Sequence, residues 1–193
     1  GMSGVKVTDC DAASGATAYA GATGENGGNN ENWDFISDVA SWIGGTSGDF
    51  TAPANWSGLS APKAGTVVSI VAGDNEQITV TVPATTNAEF ASLLLIAADG
   101  GSATLVAKGA LATSGDVTVD ARGILILDKY EDTGVAPNRI GGNFVVKSGG
   151  KVTHSGPAAT ENAKVHLAVE GDFRIEEGGT INVSGKGYAM TKG

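Results

Sequence analysis

From Thr66 onward the chain sets short apolar alternations, "TVVSIV", "ITVTV" and "SLLLI", between Gly, Pro, Asp and Asn. A period of two is the mark of strands that bury one face, and no segment sustains the 3.6-residue period of an amphipathic helix. The pattern predicts an all-β chain of short strands and tight corners.

The alternations fall into a repeat. "GDVTVDARGILIL" (Gly115–Leu127), "GNFVVKSGGKVTH" (Gly142–His154) and "GDFRIEEGGTINV" (Gly171–Val183) align without a gap, 27 and then 29 residues apart. Each copy opens on a glycine and an apolar pair: Val117 and Val119, Phe144 and Val146, Phe173 and Ile175. A turn centred on Gly123, Gly150 or Gly179 follows, and then a second pair: Leu125 and Leu127, Val152 and His154, Ile181 and Val183. Because alternate side chains share a face, these positions should form interior columns when the copies stack. The shared glycines are expected to supply the positive φ that the corners need. A third alternation, Val165, Leu167 and Val169, precedes the last copy, with Ile140 and Leu111 as its shorter counterparts. Three strand positions in each rung predict a right-handed parallel β-helix. A less regular rung through Leu93, Leu95, Gly101, Ala103 and Leu105 carries the coil back toward Val67.

The expected organisation is an irregular lead-in over residues 1–41, a tryptophan-containing cap over 42–65, and rungs over 66–193. The lead-in holds the Gly-, Ala- and Asn-rich stretch 15–32, which has no sustained periodicity. A solenoid must cover its terminal cross-section. Trp42, Phe50 and Trp56, set among glycines and prolines just before the first regular strands, are the residues to do so. Gly1 before Met2 reads as a tag-removal scar, with either an export signal cut off before it or Met2 as the true start; "GKGYAMTKG" at the end has no helix cap or closing motif, so the rungs are expected to continue in a longer protein.

Composition narrows the function. With 12 basic against 21 acidic residues the formal charge is −9, which repels nucleic acid and anionic membrane surfaces. Cys10 is the only cysteine, so neither an internal disulfide nor a cysteine-based zinc cluster can form. The longest strongly apolar run, Leu93–Ala98, is too short to span a bilayer, and no export signal opens the chain. No cofactor is expected.

The spacing W-x-G-G-x-x-G-x-F-x-x-x-x-N-W, carried by Trp42, Gly44, Gly45, Gly48, Phe50, Asn55 and Trp56, is followed by P-x-x-G at Pro62 and Gly65. It resembles the opening of β-helical units in large bacterial surface and autotransporter-like proteins. The resemblance runs roughly from Trp42 to Val183 and implies a parallel β-helix in an exported stalk, adhesin or passenger domain, at the cell surface or outside the cell.

Candidate chemistry is sparse. His154 shares a column with Leu127 and Val183, where a hydrogen-bonded core imidazole is the simpler reading, and His166 should point outward. Two histidines on unrelated faces make a poor metal site. Asp116 and Asp172, with Asn143 between them, hold one column position, and Glu176 and Glu177 fall near Asp120 and Lys147. A carbohydrate-active β-helix would place such carboxylates in a groove, whereas solvated turn residues need no chemistry. The segment Gly24–Asp34 is rich in oxygen ligands but lacks the order of a calcium loop. Asn55 and Asn182 head glycosylation sequons, and Asn55 is expected instead to bond backbone in its turn. "TVT" at Thr79–Thr81 is a single copy of a Thr-x-Thr pair of the kind arrayed in ice-binding solenoids.

Polar excursions at Asp128–Asn138 and Ser155–Asn162 occupy one flank, the usual place for contacts. Lys129, Tyr130, Glu131 and Asp132 form the candidate binding set, able to stack on a sugar ring and bond its hydroxyls, with a glycan or a surface protein as partner. The cap set is Trp42, Phe50, Asn55 and Trp56. The favoured function is a non-enzymatic structural or adhesive module of a bacterial surface or secreted protein. The alternative is a β-helix that binds or cleaves a polysaccharide.

Overall fold

The computed structural model describes residues 6–9, 18–19, 25–26, 33–34, 39–129, 136–156 and 164–187. Near the N-terminus, β1 (Lys6–Val7) pairs in parallel with β3 (Glu25–Asn26), and β2 (Ala18–Tyr19) with β4 (Trp33–Asp34). The remainder is a parallel β-solenoid of about five turns, with no α-helix among the described residues.

The coil has three faces. The first face stacks β5 (Val39–Ser41), β7 (Val67–Ala72), β10 (Ser92–Ala97), β13 (Val117–Val119), β16 (Phe144–Val146) and β19 (Phe173–Ile175). The second stacks β6 (Ser47–Asp49), β8 (Gln77–Val82), β11 (Ser102–Ala107), β14 (Gly123–Leu127), β17 (Lys151–Thr153) and β20 (Thr180–Ile181). The third holds only β9 (Asn87–Phe90), β12 (Ala110–Thr113), β15 (Asn138–Ile140) and β18 (Leu167–Val169). Every strand pair among these faces is parallel.

Register makes the interior columns. Val68, Leu93, Val117, Phe144 and Phe173 stack in sequence, as do Ile70, Leu95, Val119, Val146 and Ile175. On the second face Val80, Leu105, Leu125, Val152 and Ile181 do the same. Down to Val152 these residues lie within the buried core, so each rung buries the apolar row that its neighbour presents.

Two features differ from the sequence reading. The coil begins at Val39 rather than at residue 66: β5 pairs with β7 and β6 with β8, so the segment expected to precede the rungs lies inside the first one. The sequences "VAS" and "SGD" are too short and polar to announce strands. At the corners, the positive φ falls on Arg122, Gly149 and Gly178, one residue before the shared glycines. Gly123, Gly150 and Gly179 are required for close approach instead, since a Cβ there would lie 2.5, 2.3 and 2.5 Å from the carbonyl oxygens of Leu95, Val119 and Val146.

The third face buries two polar residues, Thr113 and Asn138. Asn138 is fully buried between Leu111 and Leu167. Its Oδ1 accepts the Leu111 amide at 3.3 Å, and its Nδ2 donates to the carbonyls of His166 (2.9 Å) and Lys129 (3.4 Å). It satisfies the backbone where the excursion after Leu127 leaves and rejoins the coil.

Candidate functional site: the capped end and its cleft

Among the described residues the first rung lacks a third-face strand, and the reason lies in the path of residues 50–66. After β6 the chain enters a short 3-10 turn, Pro53–Asn55, in which proline sets the backbone and cannot donate. It then crosses back over the end of the coil to pair with the residues following β5. Ile43 donates to the Asn55 carbonyl at 2.8 Å and Ser57 to the Ser41 carbonyl at 2.9 Å, flanking an antiparallel bridge between Trp42 and Trp56.

This crossing buries the aromatics. Trp56 stands edge-on to Trp42 and to Phe50, each pair of rings 5.2 Å apart, and Phe50 packs on Phe90 at 5.7 Å. Trp56 and Phe50 are closed off from solvent, and Trp42 nearly so. The polar edges are satisfied locally: the Trp56 indole donates to the Phe50 carbonyl and the Trp42 indole to the Gly45 carbonyl, both at 2.7 Å. Asn55 donates to the Asp49 carbonyl at 3.0 Å. The glycine spacing of the head motif is explained by this packing. A Cβ on Gly44 would lie 2.6 Å from the Trp42 ring and 2.7 Å from the Asn55 amide, and one on Gly48 would lie 2.7 Å from Asn55 Nδ2.

Among the described residues, the same crossing leaves the outer edge of β9 without a strand. A cleft of about 360 Å³ lies there, between Thr86–Glu89 on one side and Phe50, Thr51 and Ala61–Ala64 on the other. Its floor is apolar, with Phe50 and Ala88 both buried, while Lys63 and Glu89 stand exposed at its rim. A second hollow of about 230 Å³ shares Ala64 and Glu89 and extends along the third face to Ala112.

The other sequence candidates are dispersed. Lys129 is half-buried with its carbonyl bonded to Asn138, and Tyr130, Glu131 and Asp132 lie outside the described residues, as does most of Gly24–Asp34. His154 is buried, its Nδ1 2.6 Å from the Ser155 carbonyl. His166 is half-buried rather than fully outward, because its carbonyl is drawn in to Asn138. Asp116, Asn143 and Asp172 do share a column, and their side chains bond backbone: Asp116 Oδ1 accepts the Asn143 amide at 2.7 Å, and Asn143 Oδ1 the Asp172 amide at 2.9 Å. Lys147 pairs with Asp120 at 2.8 Å, which lowers the Asp120 carboxyl and raises the Lys147 amine from their ordinary values. Thr79 and Thr81 face outward on β8, but Thr104 and Val106 and then Ile124 and Ile126 follow them, so the Thr-x-Thr pair is not repeated. Asn182 accepts the Ser184 amide at 2.9 Å. Among the described residues no His, Cys, Asp and Glu cluster could hold a metal, and no helix is long and apolar enough to cross a membrane.

No protein-family model, curated protein or solved structure matches the chain.

Proposed function

We propose that the chain is a non-enzymatic structural or adhesive β-helix module of a bacterial surface or secreted protein, akin to the β-helical units that its head motif resembles. One observation carries this reading: outward polar side chains repeatedly bridge consecutive rungs. Asp116 bonds Asn143, Asn143 bonds Asp172, Asp120 pairs with Lys147, and both Asp128 carboxylate oxygens accept from Ser155. Carboxylates engaged in this way lock the coil along its axis. With rungs about 4.8 Å apart, the spacing of adjacent strands, the result is a stiff rod on which flanking loops display contacts.

The second reading, a polysaccharide-acting β-helix, draws on the outer hollow of about 280 Å³ lined by Asp116, Asn143, Val145, Asp172 and Arg174. A glycan-array and polysaccharide-cleavage screen separates the two. The module should cleave nothing, and Asp172→Asn should change neither binding nor turnover. Release of new sugar ends by the wild type, lost in Asp172→Asn, would replace the structural reading with the enzymatic one.

A further inference from the structure

We propose that the cleft beside β9 takes up an extended peptide of a partner protein, which adds as the missing strand of the third face. This goes beyond the stalk reading and does not depend on it. On the first and second faces the outer edges of β7 and β8 are covered by β5 and β6, whereas β9 begins its face with nothing beyond it among the described residues.

The backbone at this edge is oriented for pairing. The Phe90 carbonyl accepts from Ser114 at 3.1 Å and so faces β12, while the Ala91 amide turns the other way to the Thr66 carbonyl at 2.7 Å. Backbone groups alternate along a strand, so those of Asn87 and Glu89 face the cleft. An edge of this kind is a template for an added strand. Four residues of β9 offer about 13 Å of pairing length at 3.3 Å per residue.

Side-chain chemistry narrows the occupant. A strand continuing the ladder alternates inward and outward residues. Its inward residue rests over Ala88 and beside Phe50, which suits one aliphatic group of modest size. Its outward residues lie beside both rim charges, Glu89 and Lys63, and the net charge of −9 disfavours an acidic segment. The partner segment is therefore extended, alternating aliphatic with small polar residues, free of internal proline and not acidic.

The probe is the acetylated, amidated octapeptide KGALATSG, the sequence of residues 108–115, whose central strand already pairs with the opposite edge of β9 in this register. It is titrated into the whole protein to about 2 mM, a limit set by the weak affinity of short strands without a deep anchor, while amide shifts and hydrogen exchange are followed by NMR. Shifts confined to residues 61–64 and 86–89, with slowed exchange at Asn87 and Glu89, are expected. A probe with proline for its threonine, whose amide would donate to the Glu89 carbonyl, should fail to bind. Glu89→Pro should abolish binding, and because the proline probe is tested on wild-type protein the experiment remains decisive if that variant does not fold.

No shift at the highest concentration overturns the proposal, as does equal binding of the parent and proline probes. Shifts confined to the last rung overturn it as well. Asn87 and Glu89 amides already protected in the free protein would mean that the chain's own N-terminal residues fill the cleft. Protection that appears only as protein concentration rises would assign it to a second copy.

Discussion

Replacing Trp56 with alanine tests whether the aromatic cluster is what holds the first rung closed. The side chain is fully buried, and truncating a large aromatic at such a site costs about 3–5 kcal/mol. Two features place this variant at the upper end. Two edge-on ring pairs are lost, each worth about 0.5–1.5 kcal/mol beyond the area they bury. The Phe50 carbonyl also loses its 2.7 Å donor in a buried position, at about 1–3 kcal/mol. These contributions overlap, so the expected loss is about 4–5 kcal/mol, not their sum. In a chain of this length that corresponds to roughly 10–15 °C in Tm if unfolding is cooperative. Stacked rungs need not unfold together, however, and the loss should be greatest near the end. Hydrogen exchange should therefore accelerate first in Val39–Ser41 and Ser47–Asp49, and only slightly in Phe144–Val146. Trp56→Phe retains a ring but not the indole donor and should recover more than half of the loss. Sedimentation should show self-association through the uncovered edges of Val67–Ala72 and Gln77–Val82. A monomeric Trp56→Ala protein with the wild-type midpoint and unchanged exchange in both end strands would refute the capping role.

Gly44→Ala drives a Cβ into the Trp42 ring and the Asn55 amide and should cost about 1–3 kcal/mol in urea unfolding, whereas Gly45→Ala, at φ +71 in open space, should cost only about 1 kcal/mol of left-handed strain. Asn138→Leu continues the apolar column from Leu111 to Leu167 but strands the carbonyls of His166 and Lys129; hydrogen exchange should report faster opening around residues 127–140. Asp120 has its carboxyl lowered by Lys147, so its contribution is present above the ordinary value of 3.8 and is lost as pH falls through the lowered one; Lys147, raised above 10.5, contributes below that value and loses its contribution as pH rises through the raised one. Lys147→Met should flatten both limbs of a stability–pH curve, and an unchanged curve would show that the pair is thermodynamically silent. Phe173→Ser and Ile181→Ser should lower binding of an apolar dye, because these side chains are 49% and 36% exposed in columns that are otherwise closed.

The repeat was legible because two signals coincide in it, a period of two and a glycine at each corner. Both are local, and the register of Val117 with Phe144 and Phe173 follows from them. The role of the corner glycines was not: sequence identifies a residue without a Cβ, and only the approach of the Leu95, Val119 and Val146 carbonyls shows that it serves space rather than φ. Asn138 looked like the end of a polar excursion because its burial depends on partners 9, 27 and 28 residues away. The tryptophans marked the cap by their size alone. The cleft had no sequence signal, since it is a place where the chain does not go: residues 50–66 leave the third face to cross the end, and no motif encodes the strand that is thereby omitted.

Cap and cleft are consequences of one detour, and this gives the molecule a polarity. At one end Trp42, Phe50 and Trp56 close the columns, so another rung cannot stack there without displacing them. At the other, Phe173 lies almost parallel to Phe144, 5.4 Å away and 7° from coplanar, yet it is half exposed while Phe144 is sealed. Ile175, Ile181 and Val183 are exposed in the same rung. The two neighbouring rungs thus differ chiefly in what lies beyond them. Among the described residues this rung presents outward the same apolar columns that join Val117 to Phe144. The closed end instead offers one strand's width of edge beside β9, bounded by the 61–64 segment and too narrow for a whole rung.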